Sequence, residues 1–168
     1  QKLLVWRGSG FSIFNFRSMV VDAESKGAKL RSSRDDPRNT PVGKFLREFH
    51  LDELPQLINV LRGEMSLVGP RPALMFHKDY YDDWELPRLA VRPGITGLSQ
   101  VNGGNAMNWD ERIAVDIYFV RNRNLAMYVE ILWKTFSQLF VRKGIYGRDG
   151  QVKGWTRPVP EWYHDDTM

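Results

Sequence analysis

Two adjacent carboxylates and two arginines beside prolines are the residues of this chain best suited to chemistry on a phosphate group. Asp52 and Glu53 are neighbours, Arg71 has a proline on each side, and Arg92 is followed by a Pro-Gly pair. Proline restricts the backbone, so a neighbouring guanidinium can be aimed at phosphate oxygens. A carboxylate in the same place can hold Mg²⁺ or attack phosphorus. The pattern therefore indicates an enzyme that handles phosphate.

The same residues also have purely structural interpretations. An Asp at a helix start commonly serves as an N-cap, and Gly-Pro loops commonly do no more than turn the chain. The three histidines are too far apart in sequence to suggest a metal site: His50, His77 and His164. The chain has no Walker A motif, dinucleotide-binding glycine motif, nucleophile elbow or zinc-protease motif. Taken alone, the residues leave both interpretations open.

Composition limits the class of protein. The 168 residues suit one domain, and 42% hydrophobic with 26% charged residues is typical of a globular chain. The absence of cysteine excludes disulfides, thiolate zinc sites and cysteine nucleophiles. The net charge of +4 suits a phosphate-bearing partner or an anionic membrane face. The longest apolar run, Leu125–Val129, is far shorter than the roughly 20 residues of a membrane-spanning helix.

Two helices are predicted around the carboxylates. A Thr-Pro pair begins a short helix near residues 41–48, with Thr as the N-cap. A second helix begins near Asp52 and ends at Gly63. Its apolar residues recur at helical spacing and form one stripe: Leu54, Leu57, Ile58 and Leu61. At a helix start, Asp52 would face the positive end of the macrodipole, which favours its ionised form.

The N-terminal half otherwise alternates short strands and loops. Residues 2–17 contain two β-rich runs with turn residues between them, which predicts a hairpin. Residues 24–40 are polar and basic and are interpreted as a mobile loop on the surface. Residues 66–104 carry many Gly and Pro residues, with a helix predicted near 73–84.

The C-terminal half is predicted to contain two longer helices. Asn108 to Glu111 form a capping-box pattern at the start of the first, and Asn124 begins the second, which runs to about Arg142. The tail, residues 145–168, is rich in Gly, Pro and aromatic residues and is predicted to be irregular. The fold class is therefore a small α+β domain, mostly helical, with a short N-terminal β-hairpin, and residues 1–168 form one domain.

Three segments together resemble a known family. The segment Leu46–Pro72 contains Leu-Asp-Glu-Leu-Pro-Gln-Leu and Leu-Val-Gly-Pro-Arg-Pro. It resembles the bacterial sugar transferase family, the monotopic polyprenyl-phosphate phosphoglycosyl transferases. Val91–Gly97 with Gln100–Gly103 resembles a second signature of that family, and Phe16–Met19 resembles a third. The resemblance covers roughly residues 11–145, in the same order and spacing.

The resemblance implies a reaction. Such enzymes transfer a sugar phosphate from a nucleotide diphosphate sugar, usually a UDP-sugar, to undecaprenyl phosphate, releasing UMP. They require Mg²⁺, and they act at the cytoplasmic face of the bacterial inner membrane, where they initiate the synthesis of surface glycans. The partners implied are therefore the nucleotide sugar, the lipid phosphate and a membrane surface, and no nucleic acid.

The resemblance also implies roles for particular residues. Asp52 would be the nucleophile that carries the sugar phosphate as a covalent intermediate, and Glu53 would be its catalytic partner at the metal. Asp116 would be a further metal ligand. Three arginines would bind substrate phosphates: Arg17, Arg71 and Arg92.

The chain departs from the family pattern in three respects. Asn15 stands where the family usually has Lys, and Gly104 stands where it usually has Arg. The family's N-terminal re-entrant membrane helix has no counterpart in these residues, so either it precedes them or other surfaces contact the membrane. Candidates for such contacts are Trp133, Phe136 and Phe140, with core packing as the alternative interpretation.

Two other functions remain open at this point. Gly104 allows a non-catalytic or weakly active relative that serves as a binding or scaffold subunit, although the intact Asp52-Glu53 pair argues against it. The positive charge and the basic segment 26–47 allow a nucleic-acid-binding module, although no recognised nucleic-acid-reading motif is present. The identity of the sugar, the glycan pathway and the oligomeric state do not follow from the sequence.

Overall fold

A computed structural model of the chain describes residues 2–4, 10–21 and 36–141. Three sequence interpretations lie outside these residues: the turn of the hairpin, most of the basic loop and the C-terminal tail. Within the described residues, helical segments account for more of the chain than strands do. The predicted class, α+β and mostly helical, therefore agrees with the secondary structure of the described residues.

The strands in the described part of the chain form two small sheets. In the first, β1 (Lys2–Leu4) lies between β2 (Gly10–Ser12) and β4 (Ala73–Leu74) and is antiparallel to both. Leu3 pairs with Phe11 on one side and with Leu74 on the other. The pairing of β1 with β2 is the arrangement that a hairpin would produce, over shorter strands than the sequence predicts.

The second sheet brings two of the family-like segments together. The strands β3 (Ser66–Val68) and β5 (Gly94–Thr96) are parallel. Gly69 N–H donates to the Thr96 carbonyl at 2.9 Å, and Gly94 N–H donates to the Pro70 carbonyl at 2.9 Å. A Cβ atom on Gly69 would lie only 2.5 Å from the Arg92 carbonyl oxygen. Glycine is thus required here, because the two backbones approach too closely for a side chain.

Five α-helices lie in the described part of the chain. In order, α1 to α5 are Pro41–Glu48, Gln56–Leu61, Leu98–Asn102, Trp109–Asn122 and Leu125–Val141. Four short 3₁₀ segments accompany them: Leu51–Glu53, Met75–Tyr80, Leu86–Ala90 and Gly104–Ala106. The helix predicted near 73–84 is wrong in type, because this segment is a short strand followed by a 3₁₀ segment.

Local sequence signals place several helix ends correctly. The Thr40 side chain accepts a hydrogen bond from Gly43 N–H at 2.9 Å and caps α1. Both hydrogen bonds of the capping box between Asn108 and Glu111 are formed at the start of α4. The Asn124 side chain accepts from Met127 N–H at 3.0 Å at the start of α5. These three predictions are confirmed. Caps can be predicted from sequence because each one depends on residues only a few positions apart.

The core consists of packed clusters around α4. One face of this helix is buried, from Trp109 and Ile113 to Ile117 and Val120. One cluster packs Trp109 against Phe76 and Tyr81, and a second surrounds Phe119 and contains these residues: Val68, Val101, Val120 and Ile131. The helix α4 thus contributes residues to both clusters.

The helix that follows the carboxylates does not bury its apolar stripe. Asp52 lies in the 3₁₀ segment, and α2 itself begins only at Gln56. Gln56 and Asn59 are buried, whereas the stripe is exposed, with Leu61 88% accessible. The side-chain oxygen of Asn59 accepts a hydrogen bond from Phe14 N–H, and its side-chain nitrogen donates to the Ser12 carbonyl and the Glu64 carboxylate. These polar contacts hold α2 with its polar side inward.

The last helix, α5, also presents apolar residues to solvent. Ile131 is fully buried, whereas the aromatic residues Trp133 and Phe136 are 71% and 55% exposed. Among residues 2–4, 10–21 and 36–141, no helix is both long and apolar enough to cross a bilayer.

Candidate active site

Asp52 lies in a short turn that follows a residue with an unusual backbone conformation. His50, immediately before the turn, has a left-handed backbone with φ of 54°, which is uncommon for a residue other than glycine. The Asp52 carbonyl accepts a hydrogen bond from Phe16 N–H at 2.9 Å. This bond ties the segment after β2 to the turn that carries both carboxylates.

The pKa of Asp52 is raised above its ordinary value of 3.8. Burial is the largest cause, and the neighbouring charge of Glu53 adds to it, against smaller opposing effects of Arg47 and His50. A helix start would favour the ionised form and lower the pKa, whereas the net shift of the Asp52 pKa is upward. The cause is that burial and the adjacent carboxylate outweigh any contribution from the short turn.

Glu53 is paired with the arginine that stands between two prolines. Arg71 Nη2 lies 2.8 Å from Glu53 Oε1. Burial raises the pKa of Glu53, but the charge and hydrogen bond of Arg71 outweigh it, so the net pKa lies below the ordinary value. The two residues are 18 positions apart in sequence, and the predicted proximity of Glu53 and Arg71 to one site agrees with this contact.

Behind Arg71 lies a buried polar network centred on Arg88. Arg88 Nε donates to Asp116 Oδ2 at 2.7 Å, Nη1 donates to the Tyr81 hydroxyl at 2.7 Å, and Nη2 donates to the Arg71 carbonyl at 2.8 Å. The Ser99 hydroxyl donates to the other Asp116 oxygen at 2.7 Å. Arg88 and Asp116 are 4% and 1% exposed. The network fixes the backbone of Arg71 from the interior.

A pocket of about 260 Å³ lies at this site. Its charged lining includes Glu53, Arg71 and Arg112. Its apolar lining comes from the segments on either side of the turn, from α2 and from α5, and includes Phe49, Leu54, Leu57 and Leu139. Asp52 is not among the described lining residues, but its neighbours Leu51 and Glu53 both are. The pocket therefore combines a charged end with an apolar wall.

The structure separates the remaining predicted site residues. Arg92 and Arg17 are exposed, and neither is among the described residues that line the pocket. Arg92 lies near Gly63, and Arg17 follows Phe16, whose N–H bonds to the Asp52 carbonyl. Asp116 is in the core with both oxygens hydrogen-bonded to protein. Phosphate binding by Arg17 and Arg92 and metal binding by Asp116 stay predictions.

Sequence reasoning missed three groups that act on this site. His50 lines the pocket, and its charge lowers the pKa of both carboxylates, as does that of Arg47. Arg112 lines the pocket from the start of α4. The sequence offers little signal for them, since ordinary surface residues have the same types and only the tertiary fold brings them to the pocket.

The carboxylates of Asp52 and Glu53 are the protein oxygens that suit a Mg²⁺ ion here. Mg²⁺ is usually held by one or two carboxylates together with substrate phosphates and water, rather than by a cage of protein ligands. In the described part of the chain, no group of three or more His, Asp or Glu side chains is placed to hold a metal. Two adjacent carboxylates thus fit an ion that arrives with a phosphorylated substrate.

Comparison with known proteins gives a family and several relatives. The family model described as bacterial sugar transferase matches residues 1–142. An uncharacterized sugar transferase, EpsL, of Bacillus subtilis is 41% identical over 82% of this chain and 67% of its own length. The exopolysaccharide production protein ExoY of Sinorhizobium fredii is 44% identical over 83% of this chain and 68% of its own length.

A third relative is named for a specific reaction. The UDP-glucose:undecaprenyl-phosphate glucose-1-phosphate transferase of Klebsiella pneumoniae is 37% identical over 83% of this chain and 31% of its own length. The chain thus spans about two thirds of the first two relatives and about a third of this one.

Proposed function

The chain belongs to the bacterial sugar transferase family, and from this premise we propose that it transfers a sugar 1-phosphate from a UDP-sugar to undecaprenyl phosphate. The observation that carries the proposal is the Asp52-Glu53 pair beside a pocket that also contains Arg71. Adjacent carboxylates with an aimed guanidinium suit phosphoryl transfer, where catalysis depends on positioning and charge stabilisation.

In the first step, an Asp52 carboxylate oxygen attacks the β-phosphorus of the UDP-sugar. A bond forms between Asp52 and phosphorus, and the bond from that phosphorus to the bridging oxygen breaks, so UMP leaves with the electron pair. In the second step, an oxygen of undecaprenyl phosphate attacks the same phosphorus and releases the Asp52 carboxylate. Two displacements at one site predict ping-pong kinetics.

The environment of the two carboxylates supports this division of roles. A raised pKa makes Asp52 the more basic carboxylate, which suits a nucleophile. Glu53 is kept ionised by Arg71, which suits a group that stays charged throughout. With Mg²⁺ bound, Asp52 and Glu53 would hold it beside the diphosphate, and it would offset the repulsion between carboxylate and phosphate.

The exposed apolar surfaces support a place at a membrane. Leu57 of α2 and Leu139 of α5 both contribute to the pocket wall, together with Leu54 just before α2. Large exposed apolar residues next to a binding pocket suit contact with lipid. We propose that the enzyme works at the cytoplasmic face of the bacterial inner membrane, where it would initiate the synthesis of a surface glycan such as an exopolysaccharide.

The covalent intermediate gives the direct test. The protein is incubated with UDP-glucose or UDP-galactose and Mg²⁺ without lipid, and its intact mass and released UMP are measured. The wild-type chain is expected to gain the mass of one sugar phosphate and to release one equivalent of UMP. Asp52→Asn is expected to do neither, because an amide oxygen is a poor nucleophile.

The controls separate chemistry from binding. Asp110→Asn, at an exposed carboxylate in the first turn of α4, is expected to behave as the wild type. Labelling of Asp52→Asn would remove Asp52 from the role of nucleophile. A wild-type chain that binds UDP but is never labelled and transfers no sugar phosphate to undecaprenyl phosphate would favour the non-catalytic relative.

A further inference from the structure

Arg112 is a second guanidinium of the pocket that has no part in the transfer steps above. It lies four residues after the N-cap of α4, and its N–H donates to the Asn108 carbonyl at 3.1 Å. The capping box fixes this turn, since Asn108 and Glu111 bond each other's backbone N–H groups. The position of Arg112 is thus set by a rigid helix start rather than by a loop.

The Arg112 side chain crosses from α4 to the 3₁₀ segment that begins at Gly104. Its Nη2 donates to the Gly104 carbonyl at 3.1 Å. Gly104 itself lines the pocket and has a left-handed backbone with φ of 51°. Because glycine has no side chain, the cationic group found at this point of the pocket comes from α4.

The described lining of the pocket carries more positive than negative charge. Its described lining includes the guanidinium groups of Arg71 and Arg112 and the carboxylate of Glu53, which is already bonded to Arg71. Burial lowers the pKa of Arg112, and the positive charges of Arg71 and Arg88 lower it further, against a smaller opposing effect of Asp116. A bound anion would relieve this repulsion between cations.

We propose that Arg112 binds the diphosphate of the donor substrate and supplies, at this loop, the cation that Gly104 cannot provide. The inference rests on the proposed function for the identity of the donor. A planar guanidinium can form two parallel hydrogen bonds to phosphate oxygens, and such charge-assisted pairs are strong and directional. Arg71 and Arg112 then contact the diphosphate from two different elements of the fold.

The test compares Arg112→Gln and Arg112→Lys with the control Arg121→Gln. Arg121 is an exposed arginine in the last turn of the same helix and is not among the described residues lining the pocket. Binding of inorganic pyrophosphate and of UDP is measured by calorimetry at several salt concentrations, alongside KM and kcat for a UDP-sugar and the melting temperature.

Arg112→Gln is expected to weaken pyrophosphate and UDP binding about ten- to hundredfold, the usual range for a lost charge-assisted pair. The salt dependence of binding should also become weaker, which a purely structural role would not produce. Arg112→Lys should lose less affinity for pyrophosphate and UDP, because lysine keeps the positive charge although it lacks the planar guanidinium. Arg121→Gln should match the wild type.

The outcomes keep this inference distinct from the proposed function. Wild-type-like binding of pyrophosphate and UDP by folded Arg112→Gln overturns the inference, even if sugar phosphate transfer is intact. If the wild-type chain transfers no sugar phosphate, the proposed function is contradicted. If Arg112→Gln nevertheless loses pyrophosphate binding, Arg112 is still an anion-binding residue. If Arg112→Gln does not fold, Arg112→Met, which retains the apolar stem, is judged by the same criteria.

Discussion

Asp52 and Glu53 adjoin in sequence, yet their pKa values are shifted in opposite directions. Burial and the charge of Glu53 raise the pKa of Asp52, whereas Arg71 overcomes burial and lowers the pKa of Glu53. Opposite shifts in a pair of carboxylates are a common way to divide catalytic roles between them. They also have opposite consequences for the stability of the fold.

The first prediction concerns Asp52. Its pKa is higher in the folded state than the ordinary value of 3.8. Its contribution to the free energy of unfolding is therefore fully present only below pH 3.8, and it is lost as pH rises through the raised pKa. At pH 7 the ionised carboxylate therefore destabilises the fold. Asp52→Asn is expected to have a higher melting temperature than the wild type at pH 7, with the difference disappearing below pH 3.8.

Glu53→Gln is the matched control, because its melting temperature is expected to change in the opposite direction. The folded pKa of Glu53 is lowered, so its stabilising contribution is present above its ordinary value of 4.5 and is lost as pH falls through the lower folded value. This variant should melt below the wild type at pH 7. Melting curves over pH 3 to 7 test both, and a lower melting temperature for Asp52→Asn at pH 7 would contradict the destabilising effect assigned to the ionised Asp52 carboxylate.

Individual site residues differ in how far sequence reveals them. Asp52, Glu53 and Arg71 belong to one continuous segment that resembles a family signature, so they could be chosen without a structure. Arg112 could not, because its place in the pocket depends on how α4 packs against the loop at Gly104. The pairing of the buried Asp116 with Arg88 could not be predicted either, and metal binding by Asp116 stays a prediction.

At the scale of elements, one buried cation joins four parts of the fold. Arg88 lies in the 3₁₀ segment Leu86–Ala90 and bonds Asp116 of α4, which in turn accepts from Ser99 of α3. The same guanidinium holds the Arg71 carbonyl. The arrangement lets core packing determine the position of Arg71 in the pocket.

The second prediction tests this connection. Arg88→Met leaves the Asp116 carboxylate buried without its guanidinium, and breaking a buried ion pair in this way typically costs about 3–5 kcal/mol. Urea unfolding should show a loss of this size. Pyrophosphate binding should also weaken if the variant remains folded, because the Arg71 carbonyl has lost its hydrogen bond to Arg88.

The double variant Arg88→Met with Asp116→Leu provides the control. Replacing both charges by apolar groups removes the unpaired carboxylate, so much of the lost stability should return. Pyrophosphate binding should stay weak, since the bond to the Arg71 carbonyl is still missing. A loss below about 1 kcal/mol in Arg88→Met would show that the pair is not a major support of the fold.

Elements also show where local sequence stops being informative. Caps at Thr40, Asn108 and Asn124 are formed as predicted because they involve neighbouring residues. The orientation of α2 could not be predicted in this way. Its apolar stripe indicates a core-facing helix, but Asn59 bonds to Ser12 at the end of β2 and to Phe14 just after it, and the stripe faces outward.

For the whole molecule, the arrangement of the site and of the exposed surfaces supports one direction of approach for the lipid. The charged end of the pocket holds Arg71 and Arg112, and its wall is formed by apolar residues of α2 and α5. Those two helices also carry the exposed side chains Leu61 and Trp133. A lipid phosphate could therefore reach Asp52 while its chain remains in contact with the bilayer.

The last prediction concerns this membrane contact. Leu61→Glu and Trp133→Glu each place a charge on an exposed apolar helix face. They are expected to weaken binding to phosphatidylglycerol-containing vesicles by tenfold or more, since each 100 Å² of lost apolar contact costs roughly 2.5 kcal/mol. Flotation of the vesicles measures binding. The label from a UDP-sugar should still form on Asp52, because that step needs no lipid.

Trp84→Glu is the matched control, because Trp84 is also an exposed tryptophan, 48% accessible, but lies outside α2 and α5. It should float with the vesicles as the wild type does. Transfer from labelled protein to vesicle-bound undecaprenyl phosphate should fall in step with flotation for Leu61→Glu and Trp133→Glu. Equal flotation of all four proteins would show that lipid does not contact these helix faces, and the apolar pocket wall would then serve the substrate alone.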